Sequence, residues 1–403
     1  MLNPIFGQAM TRVCFLALLK FMHFVDNADP NHDAHDPNRD KLHKVRPLIE
    51  MIRDRCKRVY SPGRNLSVDE SLVLFKGRLG FKQYIKTKRA RFGIKLYQLC
   101  TSNGVTLDFI VYCGAGMYDE DGNLGLTTTE KIAANLIEPY LGEGHCLYTD
   151  NFYTSPNLAK HLLANQTHLC GTEKSHRKNF SKELPKEKLE KGEAAFYKTD
   201  KGMLGVKYRA LQNKSGNKPK VVHMLSTLHR ATMCDSGKKD KDQNPVMKPS
   251  CIIDYNHQMG GVDLVDQQLH SFHTLRKSYK WYRKLALRLL MQCTMNAHKS
   301  YQLHTGDRKK DFLSFMHDVV SVLLTSSPRL NREVSLQDTV HRLSGRHFPA
   351  KKQPNEGSVD PRPKKKCRVC YARGIRTAKG APVETVWICE TCPSKPSLHI
   401  EQG

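Results

Sequence analysis

Three aspartates and four cysteines carry the chemistry this sequence offers. Asp69 lies in LSVDESLVLF, Asp150 ends the apolar run in HCLYTDNFYTSP, and Asp263 follows two glycines in MGGVDLVDQQLHSF. They are remote along the chain, so only tertiary folding brings them together. If it does, three carboxylates suit a two-metal phosphodiester centre, with ions about 4 Å apart. Mg²⁺ or Mn²⁺ takes hard oxygen ligands and keeps several waters, so few protein groups suffice. Cys367 and Cys370 in CRVC, with Cys389 and Cys392 in CETC, form two C-x-x-C pairs across an 18-residue spacer. That spacing suits a four-thiolate Zn²⁺ site.

Each acid also has a plainer role open to it. Asp69 and Glu70 are neighbours, and strand alternation sends them to opposite faces, Asp69 with Ser67 and Ser71, Glu70 with Val68 and Leu72. Alternation alone does not say which of the two is functional. Asp150 beside Asn151 suits a turn. Asp263 and Asp266 suit an N-cap and a first-turn acid favoured by the helix dipole.

The elements that must position these groups follow from periodicity. Residues 1–60 read as helical, broken by the polar loop DNADPNHDAHDPNRD. Its His32, Asp33, His35 and Asp36 imitate a metal site, but the composition is that of a loop. LSVDESLVLF reads as a strand; GIKLYQLC, the turn TSNG and VTLDFIVYC read as a hairpin. Thr127 and Glu130 make a capping box. The strand before Asp150 follows, then a helix with Ser155 as N-cap and Pro156 in its first turn, then the strand HLCGT. This order predicts an α/β fold, a mixed sheet with helices on both faces. Ribonuclease-H-like nucleases and transposases use the same order, with acids on the first strand, at the end of the fourth, and on a late helix. AAFYKTD, GVKYRAL and KVVHMLST predict a small antiparallel, β-rich insertion.

Charge suggests the partner. Lys and Arg number 65 against 39 Asp and Glu, giving +26 and a pI near 9.6 in 403 residues. The excess recurs along the chain and favours a polyanion, nucleic acid first; a solvated charged surface is the plainer alternative. Two stretches suit phosphate contact: Lys82, Lys86, Lys88, Arg89, Arg91 and Lys95 near Asp69, and Arg276, Lys277, Lys280, Arg283, Lys284 and Arg288 further on. VCFLALLKFMHFV is interrupted by Lys20 and His23 and reads as an amphipathic core helix, not a membrane span or signal peptide. A reducing compartment follows, in which the nine cysteines from Cys14 to Cys293 are scattered buried thiols. RPKKKCR suits nuclear import first, with a DNA-contacting arm or a charged linker as the other readings.

Several motifs, in order over nearly the whole chain, carry a family resemblance: YSPGRNLSVDESLVLFKGRLGFKQYI, KRARFGIKLYQLC, LYTDNFYTSPNLAKHLL and MGGVDLVDQQLHSF. The chain resembles the piggyBac-type transposases and, among them, the element-derived protein 4 group. The resemblance implies that Asp69, Asp150 and Asp263 are catalytic, with Asp266 a fourth acid near the metals. It implies cut-and-paste transposition: water attacks the element's end, the freed 3′-hydroxyl forms a hairpin, and strand transfer targets TTAA in double-stranded DNA. It further implies a homodimer and a cysteine-rich C-terminal zinc module that reads transposon ends; no membrane partner is expected, because the sequence shows no membrane span.

The expected layout is residues 1–64 as part of an N-terminal helical dimerisation and DNA-binding region, 65–174 and 250–275 as the catalytic core, and 175–249 as the insertion. Residues 276–348 would be a second helical region, 349–366 a basic linker and 367–403 a truncated zinc module. Departures from the family pattern set a second expectation. MLNPIFGQAM matches the interior of the N-terminal region, Lys86 stands where a proline is common, and the chain stops at Gly403 with His399 near a usual cysteine position. A single zinc ion, and a catalytically silent DNA-binding or chromatin protein descended from a transposase, are therefore the alternatives.

Overall fold

Alternation shapes the first strand, Asn65–Leu74 (β1). Leu66 and Val68 turn to one face, Ser67 and Ser71 to the other, and all four are buried. In the computed structural model the described residues are 10–26, 40–86, 91–114, 117, 125–211, 220–240, 243–272, 278–325, 349–352, 364–390 and 394–398. They fall into two units, Met1–Ser321 and Val322–Gly403.

In the first unit β1 is followed by Gln83–Tyr84 (β2), Phe92–Thr101 (β3) and Thr106–Val111 (β4). Gly104, at φ 85°, makes the tight β3–β4 turn, its N–H donating to the Thr101 carbonyl at 3.0 Å. Cys146–Thr149 (β5) and His168–Thr172 (β6) come next, then Ala194–Lys198 (β7), Leu204–Arg209 (β8) and Val221–Ser226 (β9). Among the described residues these nine strands form one mixed sheet, ordered β2-β3-β1-β5-β6-β9-β8-β7, with β4 also paired to β3. β1–β5 and β5–β6 are parallel, while β1–β3, β3–β4, β6–β9, β8–β9 and β7–β8 are antiparallel. The meander β7–β9 therefore does not stand apart: β9 pairs with β6 and extends the sheet. Met233–Lys239 (β10) and Pro245–Pro249 (β11) form a separate ribbon.

Helices cover both faces. Before β1 come Arg12–Phe21 (α1) and Arg46–Val59 (α2); after β4 come Thr128–Ile137 (α3) and Pro156–Ala164 (α4). Thr127 and Glu130 close the capping box of α3, and Ser155 Oγ accepts from Leu158 N at 3.0 Å at the start of α4. Ile132, Leu136, Leu158 and Leu162 from α3 and α4 pack with Leu66, Val68, Leu99 and Leu147. The other face takes Ser250–Gln258 (α5), Gly261–His270 (α6) and Trp281–Thr305 (α7). Cys251 and Ile252 meet Cys146 and Tyr148, Val262 and Val265 meet Cys100, and Leu285 and Leu289 join Ile94 and Leu96. Phe312–Thr325 (α8) follows.

One expectation is corrected. α1, read as a core helix, buries none of its residues: Val13 is 78% and Phe21 69% exposed. Its apolar side chains circle the helix, yet among the described residues nothing covers them. Arg283 fastens its end, donating to the Met22 carbonyl at 3.0 Å and the Lys20 carbonyl at 2.5 Å.

The second unit holds Pro349–Lys351 (β12), Lys365–Lys366 (β13), Arg368–Ala372 (α9), Glu384–Thr385 (β14) and Trp387–Cys389 (β15). β12 pairs with β15 and β13 with β14. Among the described residues no helix is long and apolar enough to cross a membrane.

Candidate active site

β1 and β5 run parallel, and their last paired residues are Val68 and Thr149. The next residue on each is an acid, Asp69 and Asp150. Neighbouring strands lie about 4.8 Å apart, so the two carboxylates start side by side where the β1–β5 pairing ends, Asp69 within β1 and Asp150 just past β5. Alternation sends Asp69 to the Ser67 and Ser71 face, beneath α6, and Glu70 to the Val68 face, beneath α3 and α4. Glu70 there takes the Lys95 ammonium at 3.0 Å, with both side chains largely buried. Backbone geometry thus distinguishes the two neighbouring acids, which their types alone do not.

Asp150 also begins a turn, its Oδ1 accepting from Phe152 N at 2.9 Å. Burial pushes the Asp150 carboxyl above the usual carboxylate range, and the negative charge of Glu70 adds to this; the Phe152 and Tyr153 N–H groups and Lys174 oppose it. Such a pocket favours a bound cation or a proton. Hard oxygen donors on adjacent strands fit a divalent ion of the Mg²⁺ class.

Asp263 belongs to the first turn of α6. Gly261 seats that helix on the sheet: a Cβ there would stand 2.2 Å from the Thr101 carbonyl oxygen and 2.9 Å from Ser67 Oγ. Asp263, two residues on, is turned about 200° around the helix from this contact and is exposed. Asp266 Oδ1 accepts from Arg288 Nη2 at 2.6 Å. Among the described residues no three His, Cys, Asp or Glu side chains stand close enough to hold a metal ion. The structure sets Asp69 beside Asp150, with Asp263 solvent-exposed on the first turn of the adjoining helix.

The basic residues divide. Lys86, Arg91 and Lys280 are exposed, whereas Lys88, Arg89, Arg276 and Lys277 lie outside the described residues. Lys82 donates to the Gly77 carbonyl at 3.0 Å, and burial pulls the Lys284 ammonium down. Lys95 and Arg288, expected on a phosphate-binding surface, turn inward to Glu70 and Asp266, each with a side chain 12% exposed. A strand or helix shows only one face to solvent, so part of any basic run must point into the fold. Sequence reading missed both inward pairs. Arg288, Gln292 and Asn296 were signalled by four-residue spacing within an apolar helix: Gln292 Nε2 reaches Gln98 Oε1 at 2.7 Å, and Asn296 Nδ2 reaches the Thr106 carbonyl at 2.7 Å.

In the second unit Cys367, Cys370 and Cys389 are buried. Cys367 Sγ accepts from Cys370 N at 3.4 Å as the N-cap of α9. Cys392, the fourth expected ligand, lies outside the described residues, as do His32, Asp33, His35 and Asp36.

A family model described as Transposase IS4 matches residues 1–298, a span that includes all four candidate acids. The human PiggyBac transposable element-derived protein 3 is 29% identical over 330 residues, 79% of this chain and 52% of that protein. The chain belongs to the piggyBac-type transposase family. A second human member, PiggyBac transposable element-derived protein 2, is 26% identical over 332 residues, 80% of this chain and 53% of its own. The chain thus spans about half the length of the curated piggyBac relatives it matches. A cryo-EM structure of a piggyBac transposase synaptic complex with hairpin DNA matches with a TM-score of 0.67, over 98% of this chain and 78% of that one. Identity there is 22%, so that likeness is one of fold.

Proposed function

We propose that the chain is a metal-dependent DNA strand-cleaving and strand-transfer protein, acting by cut-and-paste on double-stranded DNA with TTAA targets. Its core is ribonuclease-H-like, a reading supported by the strand order β4-β3-β1-β5-β6 around a central β1. The observation that carries the proposal is the register that makes Asp69 and Asp150 neighbours on parallel strands.

Asp69 and Asp150 would hold the ions, with Asp263 as third acid and Asp266 as fourth. When bound, Mg²⁺ or Mn²⁺ supplies the charge that lowers the pKa of an attacking water or hydroxyl and stabilises the leaving oxygen. The chain's own groups do the rest. Phe152 N orients one Asp150 oxygen, Glu70 N donates to Asp69 Oδ1 at 2.7 Å, and the seat of Gly261 fixes how far α6 stands from β1. Lys86, Arg91 and Lys280, with Lys88, Arg89, Arg276 and Lys277, would fix the duplex through phosphate contacts that carry little sequence information. Two copies would act together in the nucleus. Cys367, Cys370, Cys389 and Cys392 would hold Zn²⁺ in a module contacting transposon ends.

The test is a purified chain given duplex DNA ending in candidate repeats flanked by TTAA, with Mg²⁺ or Mn²⁺. Nicking or joining should occur, and Asp150→Ala should abolish it while DNA binding persists. Cleavage by Asp150→Ala at the parental rate would sink the proposal. One observation favours a second reading, a DNA-binding protein without strand chemistry: Asp263 is exposed to solvent. That reading predicts salt-sensitive binding and no cleavage with either metal.

A further inference from the structure

The acids Asp69 and Asp150 are joined by a series of contacts that the proposed chemistry leaves unused. Glu70 N donates to Asp69 Oδ1 at 2.7 Å, and Lys95 Nζ meets Glu70 Oε1 at 3.0 Å. The same ammonium lies 4.5 Å from the centre of the Tyr97 ring and 4.8 Å from that of Phe152. Phe152, in turn, donates its N–H to Asp150 Oδ1 at 2.9 Å. One buried cation therefore ties the strand bearing Asp69 to the turn bearing Asp150, beyond the point where the β1–β5 pairing ends. It also answers a carboxylate whose negative charge reaches Asp150.

We propose that Lys95 is a positioning residue: it clamps the Asp150 turn to β1 and neutralises Glu70 beside the site that Asp69 and Asp150 form. The inference rests on the reading of Asp69 and Asp150 as metal-holding acids. A purely structural lysine would be replaceable by any side chain that preserves packing. A clamp of this kind has an electrostatic signature as well, because removing either partner changes the charge beside the ions by one unit, in opposite directions.

The experiment measures Mn²⁺ binding to the full chain by electron paramagnetic resonance, alongside Mn²⁺-dependent cleavage. Lys95→Met should tighten Mn²⁺ binding by about threefold or more, since Glu70 then adds its charge to the site, yet cut at least tenfold more slowly at saturating metal. Glu70→Gln should weaken Mn²⁺ binding by a similar factor. Lys95→Arg, which keeps a cation between the rings, should stay within about twofold of the parent in binding. If Lys95→Met does not fold, the opposing shift in Glu70→Gln and the rescue by Lys95→Arg still decide. Shifts of the same sign in Lys95→Met and Glu70→Gln, no shift in Glu70→Gln, or parental cleavage by Lys95→Met would overturn the inference. A parent chain that binds no Mn²⁺ would instead remove the reading of the acids, and this inference with it.

Discussion

Replacing Gly261 by alanine tests the seat of α6 with the smallest possible side chain. The added Cβ would stand 2.2 Å from the Thr101 carbonyl oxygen, a backbone atom of a central strand that cannot step aside. Ordinary contact needs about 3.3 Å, so the start of α6 must retreat by roughly 1 Å. Overpacking of this size costs about 2 kcal/mol, more than the ~0.9 kcal/mol that alanine gains over glycine in helix propensity. The net loss of about 1 kcal/mol lowers the melting temperature by roughly 2–4 °C. The effect on chemistry should be larger, because a 1 Å displacement of the turn carrying Asp263 costs about a hundredfold in rate. Gly260→Ala is the control, since a Cβ there meets nothing within 4 Å. The assay pairs thermal melts with single-turnover cleavage for both variants. If Gly261→Ala melts and cuts like Gly260→Ala, α6 is not seated as described and its spacing from β1 does not matter.

Other outcomes are open to direct measurement. Burial pushes the Glu173 carboxyl up to about 7, against the opposing Arg177 ion pair at 3.1 Å. Its folded-state pKa exceeds the unfolded value, so the folded state binds more protons and stability falls as pH rises from about 4.5 to about 7. The difference is of order 3 kcal/mol; Glu173→Gln should flatten that slope in melts at pH 5 and pH 8, and an unchanged slope would contradict it. Arg288→Met strips the buried cation from Asp266 and should cost about 3 kcal/mol in denaturant titration, largely recovered by Arg288→Met/Asp266→Leu. Metal analysis should find about one zinc per chain, lost in Cys367→Ser, with residues 364–398 becoming protease-sensitive on chelation.

Much of the frame was legible because it is local. Ser155 and Pro156 start α4, the box of Thr127 and Glu130 starts α3, and Gly104 turns β3 into β4, each through contacts a few residues apart. The adjacency of Asp69 and Asp150 is not local, yet it follows once β1 and β5 pair in parallel. What stayed hidden was set by partners distant in sequence. Nothing in the period of β9 says that it pairs with β6, because the neighbour a strand takes is set by partners remote in sequence. The inward turn of Lys95 depends on Glu70 across the strand pair and on Phe152 beyond β5. A charge count treats Lys95 and Lys86 alike, whereas the fold buries one and exposes the other.

The central claim is that Asp69 and Asp150 share a divalent ion. Anomalous scattering from crystals of the chain soaked in Mn²⁺ measures this most directly. The account predicts a peak about 2.1 Å from a carboxylate oxygen of each residue. A peak held by Glu70 in place of Asp69, or none where the β1–β5 pairing ends, would contradict it.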